Sequence, residues 1–233
     1  MERDVIIACD FASAAQTLDF LSAFGAERPY LKVGMELFYA EGPQIVRALK
    51  ARGHRIFLDL KLHDIPNTVK KSMAVLASLG ADMVNLHAAG TREMMAAARE
   101  GLTRADGSRP LLLAVTQLTS TSEQRMREEL LIDRPINEVI VRYAENAKAA
   151  GLDGVVCSPL EAGLVKAACG AGFLTVTPGI RFADGEAGDQ VRVTTPARAR
   201  EIGTDFIVVG RPITAAADPA AAYRRCLKEF AGR

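Results

Sequence analysis

Eight short, mostly apolar runs, separated by stretches with helical spacing, constrain this chain more than any other feature. The runs lie at 5–9, 30–33, 56–60, 83–86, 111–115, 154–157, 173–176 and 206–209. Near-continuous apolar runs of this length are the pattern of strands covered on both faces. Helical spacing fills 14–24, 42–51, 68–79, 93–102, 136–149 and 160–168. Gly25, Gly53, Gly80, Gly151, Gly170 and Gly203 each stand shortly before the next strand, where a left-handed helix cap is needed. Such alternation implies a parallel sheet with right-handed crossovers. Eight units predict a closed (β/α)8 TIM barrel, one domain over residues 1–233. A doubly wound open sheet is the runner-up, although no Gly-x-Gly-x-x-Gly turn follows the first strand.

Composition narrows the partners. With 49% hydrophobic and 24% charged residues, the chain can bury one large core. Lys plus Arg total 29 against 28 Asp plus Glu, a net charge of +1, so no general attraction to nucleic acid or an anionic membrane is expected. Any anion site must be local. No apolar run approaches the roughly 18 residues of a membrane span. Met1-Glu2-Arg3-Asp4 leads into a strand-like run rather than a signal-peptide core. Cys9, Cys157, Cys169 and Cys226 are scattered without a Cys-x-x-Cys pair, which predicts buried thiols in a reducing cytoplasm and argues against zinc or disulfides.

The third run carries charge where a core should be. On a strand, Phe57, Asp59 and Lys61 share one face while Leu58, Leu60 and Leu62 share the other. An unpaired buried charge costs several kcal/mol, so these charges need partners on neighbouring strands or in a ligand. A solvent-exposed edge strand is the competing reading. The C-terminal ends of the predicted strands, where barrel enzymes keep their chemistry, carry Asp10, Lys32, Asp59, Lys61, His87, Thr119, Ser158, Arg181, Gly210 and Arg211. Nearly all are polar, and they converge on one mouth.

After the eighth run, Gly210 lets backbone approach an anion and Arg211 can grip phosphate oxygens. As an isolated dipeptide, Gly-Arg reads equally well as a surface turn. The long connection at about 178–190 reads as filler or as a phosphate-covering loop, and its position beside Gly210 favours the loop. His63 and His87 match no helical metal motif, so no metal site is expected and His87 reads as a hydrogen-bonded structural residue. Ser158 reads either as a ligand contact or as the cap of a helix beginning at Pro159. Residues 123–129 read as a solvated helix face.

Four segments complete the pattern: Asp59-Leu60-Lys61-Leu62-His63-Asp64-Ile65-Pro66-Asn67-Thr68, Val115-Thr116-Gln117-Leu118-Thr119-Ser120, Thr177-Pro178-Gly179-Ile180-Arg181 and Val209-Gly210-Arg211-Pro212-Ile213. Together they resemble the orotidine 5′-monophosphate decarboxylase family. Asp-x-Lys-x-x-Asp alone marks only a wider superfamily that includes sugar-phosphate decarboxylases and aldolases. The extension through Thr68 is more specific. The resemblance implies decarboxylation of orotidine 5′-monophosphate to UMP and CO2, the last step of de novo UMP synthesis, with neither metal nor organic cofactor.

It also implies roles. Lys61, Asp59 and Lys32 would form a charge network completed by Asp64 of a second subunit, with Thr68 crossing the same interface of a homodimer. Asp10 and Lys32 would hold the ribose, Thr119 the pyrimidine edge, and Gln190, Arg211 and the Gly210 backbone the phosphate. Arg181 would help bind the nucleotide. The alternatives are a magnesium-dependent sugar-phosphate decarboxylase or aldolase on the same barrel and a non-catalytic nucleotide-binding barrel that senses UMP.

Overall fold

The eight apolar runs are eight strands of one closed sheet. The structure, a computed structural model, describes residues 2–184 and 193–233. In it lie β1 (Asp4–Cys9), β2 (Tyr30–Gly34), β3 (Ile56–Leu62), β4 (Met83–His87), β5 (Leu111–Val115), β6 (Gly154–Val156), β7 (Leu174–Thr177) and β8 (Phe206–Val209). Each pairs in parallel with the next, and β8 returns to β1. Closure excludes the doubly wound open sheet, and it leaves β3 no edge.

The expected helices form as Ala14–Ser22, Pro43–Ala51, Pro66–Ala77, Thr91–Leu102, Ile136–Ala149 and Pro159–Cys169. The second starts later than its spacing suggests, because Gly42 at φ 66° separates it from an additional helix, Met35–Glu41. That seven-residue helix runs straight on from β2 and is too short for a 3.6-residue period to declare itself. The charged stretch is the helix Glu123–Glu128, exposed except for Met126. The six glycines before strands all take positive φ. Gly203, at φ 97°, ends the helix Pro196–Ile202 as a left-handed cap whose N–H returns to Ala199 and Arg200 carbonyls.

The period-2 alternation of the strands divides the core into two layers. Ile6, Ala8, Tyr30, Phe57, Met83, Leu113, Leu174, Val176, Phe206 and Val208 fill the barrel interior. Their sequence neighbours, such as Ile7, Leu31, Leu58, Leu60, Val84 and Leu112, face outward and pack under the helices. Fully burying one such side chain contributes about 1.5–3 kcal/mol. None of the four cysteines is disulfide-bonded, and all are buried. Among the described residues no helix is long and apolar enough to cross a membrane.

The N-terminal ends of the strands are fastened by a repeated device. Asp82, just before β4, accepts from Ile56 N at 2.7 Å and pairs with Lys50 Nζ at 2.8 Å. Asp153, just before β6, accepts from Leu112 N at 2.7 Å and takes the Arg109 fork, with Nη2 at 2.8 Å. Asp205, just before β8, accepts from Thr175 N at 2.7 Å and pairs with Lys166 Nζ at 2.6 Å. Each carboxylate therefore ties the strand it precedes to the preceding neighbour and neutralises itself with a cation. All three stand in the same sequence context, Gly-x-Asp. Removing one leaves a backbone N–H without its acceptor and a cation without its counter-ion. Asp205→Ala is expected to cost about 2 kcal/mol, a fall of roughly 4–8 °C in a chain of this size, read by thermal melting. A midpoint within 1 °C of the parent would contradict the clamp.

Candidate active site

The inward parity that fills the barrel with apolar side chains continues upward into charge. Ala8, Lys32 and Phe57 lie side by side across β1, β2 and β3, and Gly34 and Asp59 form the next layer. Lys32 Nζ stands 2.9 Å from Asp10 Oδ1 and 3.4 Å from Asp59 Oδ2. Asp59 Oδ1 in turn meets Lys61 Nζ at 2.6 Å. The result is an alternating chain, Asp10–Lys32–Asp59–Lys61, whose middle members are buried and whose ends open toward solvent. Asp59 therefore finds a partner on the neighbouring strand, Lys32, and Lys61 finds Asp59 within β3, while closure of the sheet removes the edge-strand reading.

Alternation is what allows two charges to stay buried. Desolvation by itself would push the Asp59 carboxyl up, but the Lys32 and Lys61 ammonium groups override it and hold Asp59 below the usual carboxylate range. Lys32 is the mirror case. Burial works to lower it, and Asp59 and Asp10 together keep it above its ordinary value. Both groups are thus held ionised. Cys9, next to this chain and enclosed, has its thiol pushed up to about 12, chiefly by burial.

Lys61 takes an unusual backbone conformation, φ 51°. The β3–β4 ladder runs Phe57 to Met83 and Leu58 to Val84, then resumes only at Leu62 with Leu86. In the gap, Lys61 N donates to Asn85 Oδ1 at 2.9 Å, and Asn85 Nδ2 donates to Asp59 Oδ1 at 2.6 Å.

Above the charged chain is a cavity of about 230 Å³. Lys32, Asp59 and Lys61 line it with Phe57, Val115, Val156 and Val208, and Gln117, Thr119 and Ser120 add polar groups from the β5 exit. Apolar walls with a few convergent polar and charged groups are the usual form of a small-molecule binding site.

The sequence-predicted residues fall into groups. Asp10, Lys32, Asp59 and Lys61 form the chain just described, and Thr119 lines the cavity over it. Gly210 and Arg211 follow β8, where the short helix Arg211–Thr214 begins. A Cβ at Gly210 would meet only Ala8, at 3.7 Å, so packing within the chain does not itself demand glycine there. Arg181 donates to Ile180 O at 2.8 Å at the base of the long connection. That base is closed by Arg181 N to Thr194 O at 3.0 Å and Thr194 N to Gly179 O at 2.9 Å. Phe182 lies under Arg225, 4.1 Å from its guanidinium carbon, and Arg225 also grips Asp184. Gln190 and most of the expected phosphate-covering loop lie outside the described residues.

Asp64 and Thr68 are exposed at the entry to the helix Pro66–Ala77, with Asp64 Oδ1 accepting from Ile65 N at 2.6 Å. Neither joins the charged chain within one copy of the protein. Ser158 is a helix cap: its hydroxyl accepts from Leu160 N and Glu161 returns to Ser158 N at 2.9 Å. His87 faces the ring of His63, 5.7 Å between centroids, and burial together with His63 and Lys61 holds it below its ordinary value. Among the described residues no three His, Cys, Asp or Glu side chains are grouped so as to hold a metal ion.

Sequence reasoning missed Asn85, Gly34 and Gln117. The signal for Asn85 was present: in Met83-Val84-Asn85-Leu86-His87 it is the polar member of the inward parity. Gly34 shares the parity of Lys32, and a Cβ there would lie 2.9 Å from Lys32 Nζ.

Comparison with known proteins gives a consistent picture. Residues 3–226 match the family described as Orotidine 5′-phosphate decarboxylase / HUMPS. The Orotidine 5′-phosphate decarboxylase of Bacillus caldolyticus is 57% identical over 235 aligned residues, covering 100% of this chain and 96% of that protein. That of Bacillus cereus (strain Q1) is 54% identical over 100% of this chain and 99% of its own length. The crystal structure of Orotidine 5′-phosphate decarboxylase from Lactobacillus acidophilus superposes with a TM-score of 0.88 at 45% identity, covering 98% of this chain and 99% of that one.

Proposed function

The chain belongs to the orotidine 5′-phosphate decarboxylase / HUMPS family, and from that premise we propose that it converts orotidine 5′-monophosphate to UMP and CO2. The reaction would be the last step of de novo UMP synthesis, in the cytoplasm, without metal or organic cofactor. The observation that carries the reading is the Asp10–Lys32–Asp59–Lys61 chain, whose Lys32, Asp59 and Lys61 line a largely apolar cavity.

Breaking the C6–carboxylate bond leaves the electron pair on C6, in the ring plane, where the pyrimidine π system does not delocalise it. CO2 departs, and the pair must be stabilised where it stands. Lys61, as an ammonium, attracts that developing charge and then delivers its proton to C6, forming UMP. Asp59 faces the departing carboxylate and disfavours it by like charge, a contribution ranked second to stabilisation of the carbanion. Asp10 and Lys32 hold the ribose hydroxyls, Thr119 the pyrimidine edge, and Gln190, Arg211 and the Gly210 backbone the phosphate, with Arg181 beside the connection that covers it. Binding energy from the remote phosphate is then available to position the ring. In this reading the protein works as a homodimer, and Asp64 and Thr68 reach the site of the other subunit.

Gly34→Ala tests the ribose end of the site. The added methyl would displace the flexible tip of Lys32 from Asp10, so kcat/KM is expected to fall roughly ten- to a hundredfold, the worth of one charge-assisted hydrogen bond, with the melting temperature little changed. Unaltered kcat/KM would remove Lys32–Asp10 from the site.

The direct experiment is a spectrophotometric assay with orotidine 5′-monophosphate in excess EDTA. Loss of absorbance with release of CO2 is the expected result. Absence of turnover in a folded protein, or turnover that EDTA abolishes and magnesium restores, would overturn the reading and favour a magnesium-dependent sugar-phosphate decarboxylase or aldolase of the same superfamily.

A further inference from the structure

We propose that Asn85 is the positioning residue for Lys61, a single buried amide that fixes both the backbone from which Lys61 springs and the counter-ion its ammonium meets. The inference rests on the reading that Lys61 acts in the reaction.

Four steps along β3, from Leu58 to Leu62, oppose only two along β4, from Val84 to Leu86. The ladder cannot supply normal partners across this break, and Lys61 lies within it in a left-handed conformation that a non-glycine residue holds only when its surroundings enforce it. Asn85 occupies the β4 side of the break. Its other edge is regular, with Asn85 opposite Leu113, so its backbone is held in place. Its side chain is 1% exposed.

From there the amide acts in two directions. Oδ1 accepts the Lys61 N–H at 2.9 Å, replacing the missing ladder bond. Nδ2 donates at 2.6 Å to Asp59 Oδ1, the same oxygen that receives Lys61 Nζ. A closed circuit results: Lys61 backbone, Asn85 amide, Asp59 carboxylate, Lys61 ammonium. The orientation of the amide is not ambiguous, because a backbone N–H can only donate and an ionised carboxylate can only accept.

Both contacts depend on the amide. Aspartate would keep the acceptor for Lys61 N and set a carboxylate against Asp59. Alanine would leave a buried N–H unsatisfied and let Asp59 rotate. Lys61 is thus aimed by a residue that need not touch substrate, and an aim lost by about 1 Å can cost on the order of a hundredfold in rate.

The test uses the full chain with Asn85→Ala and Asn85→Asp. Two quantities are read per folded molecule: kcat and KM on orotidine 5′-monophosphate, and the titration of Asp59 in the unliganded protein by carboxylate 13C NMR. Asn85→Ala is expected to lower kcat about a hundredfold while KM moves less than threefold, and to shift the Asp59 titration to higher pH. Asn85→Asp should be impaired at least as much, since it restores one contact and inverts the other. A merely structural role would lower the melting temperature and leave both quantities as in the parent, and that outcome overturns the assignment. If Asn85→Ala does not fold, Asn85→Ser carries the same readouts, because its hydroxyl is too short to span both partners. If the parent itself does not turn over orotidine 5′-monophosphate, the reaction assignment fails separately, and Asn85 is then judged on the Asp59 titration alone.

Discussion

Lys61→Ala is expected to reduce turnover of orotidine 5′-monophosphate by at least about four decades without unfolding the protein. A cation about 3 Å from the charge that develops at C6, at an effective dielectric near 20, contributes on the order of 5 kcal/mol, which is the source of that figure. Stability should respond little. Asp59 would keep Lys32 at 3.4 Å and the Asn85 amide at 2.6 Å, so its carboxylate remains satisfied after Lys61 is gone. The measurement is steady-state kcat beside a thermal melt, and a mutant within tenfold of the parent rate would end the assignment of Lys61.

Asp59→Ala should behave differently, because it removes the one anion between two cations. Lys32, with only 11% of its side chain exposed, would then face Lys61 across an empty space and retain Asp10 alone. Taking one partner from a buried charge network costs about 3–5 kcal/mol, and the lower figure suits a site open at both ends. A fall of roughly 6–12 °C in the melting midpoint is expected, together with loss of activity. The contrast between the two substitutions is the informative result. Should Asp59→Ala melt at the parent temperature, the alternating chain would not be what stabilises the buried lysine.

Much of this was legible in the residues, for identifiable reasons. Strands β1 to β8 announce themselves because both faces of a barrel strand are covered, which leaves little room for polar residues until the rim. Asp59 and Lys61 stand out for the same reason. What escaped is either too short to show a period or depends on contacts between strands. The helix Met35–Glu41 has too few turns to show a period, and Gly42 hides its boundary. Strict alternation correctly sends Asp59 inward, but it gives no warning that the ladder to β4 breaks before Leu62 or that Lys61 adopts φ 51°. Asn85 was visible as a polar residue of inward parity, yet its two hydrogen bonds exist only once β3 and β4 are aligned. Ser158, ambiguous in sequence, is resolved by Glu161 three residues on. Asp64 and Thr68 belong to a different kind of gap, because one copy of the chain gives them no partner in the charged cluster.

The three aspartates at the floor of the barrel separate the fastening of the sheet from its chemistry. They pin alternate seams at the end opposite the mouth, a strand length away from it. Three seams are therefore fastened at the end away from the charged chain of the mouth. Groups at the rim such as Asp59 and Lys61 share no contact with these ties, so a change of one set leaves the other in place. Heat adaptation has the complementary freedom, since reinforcing the floor leaves the chemistry overhead untouched.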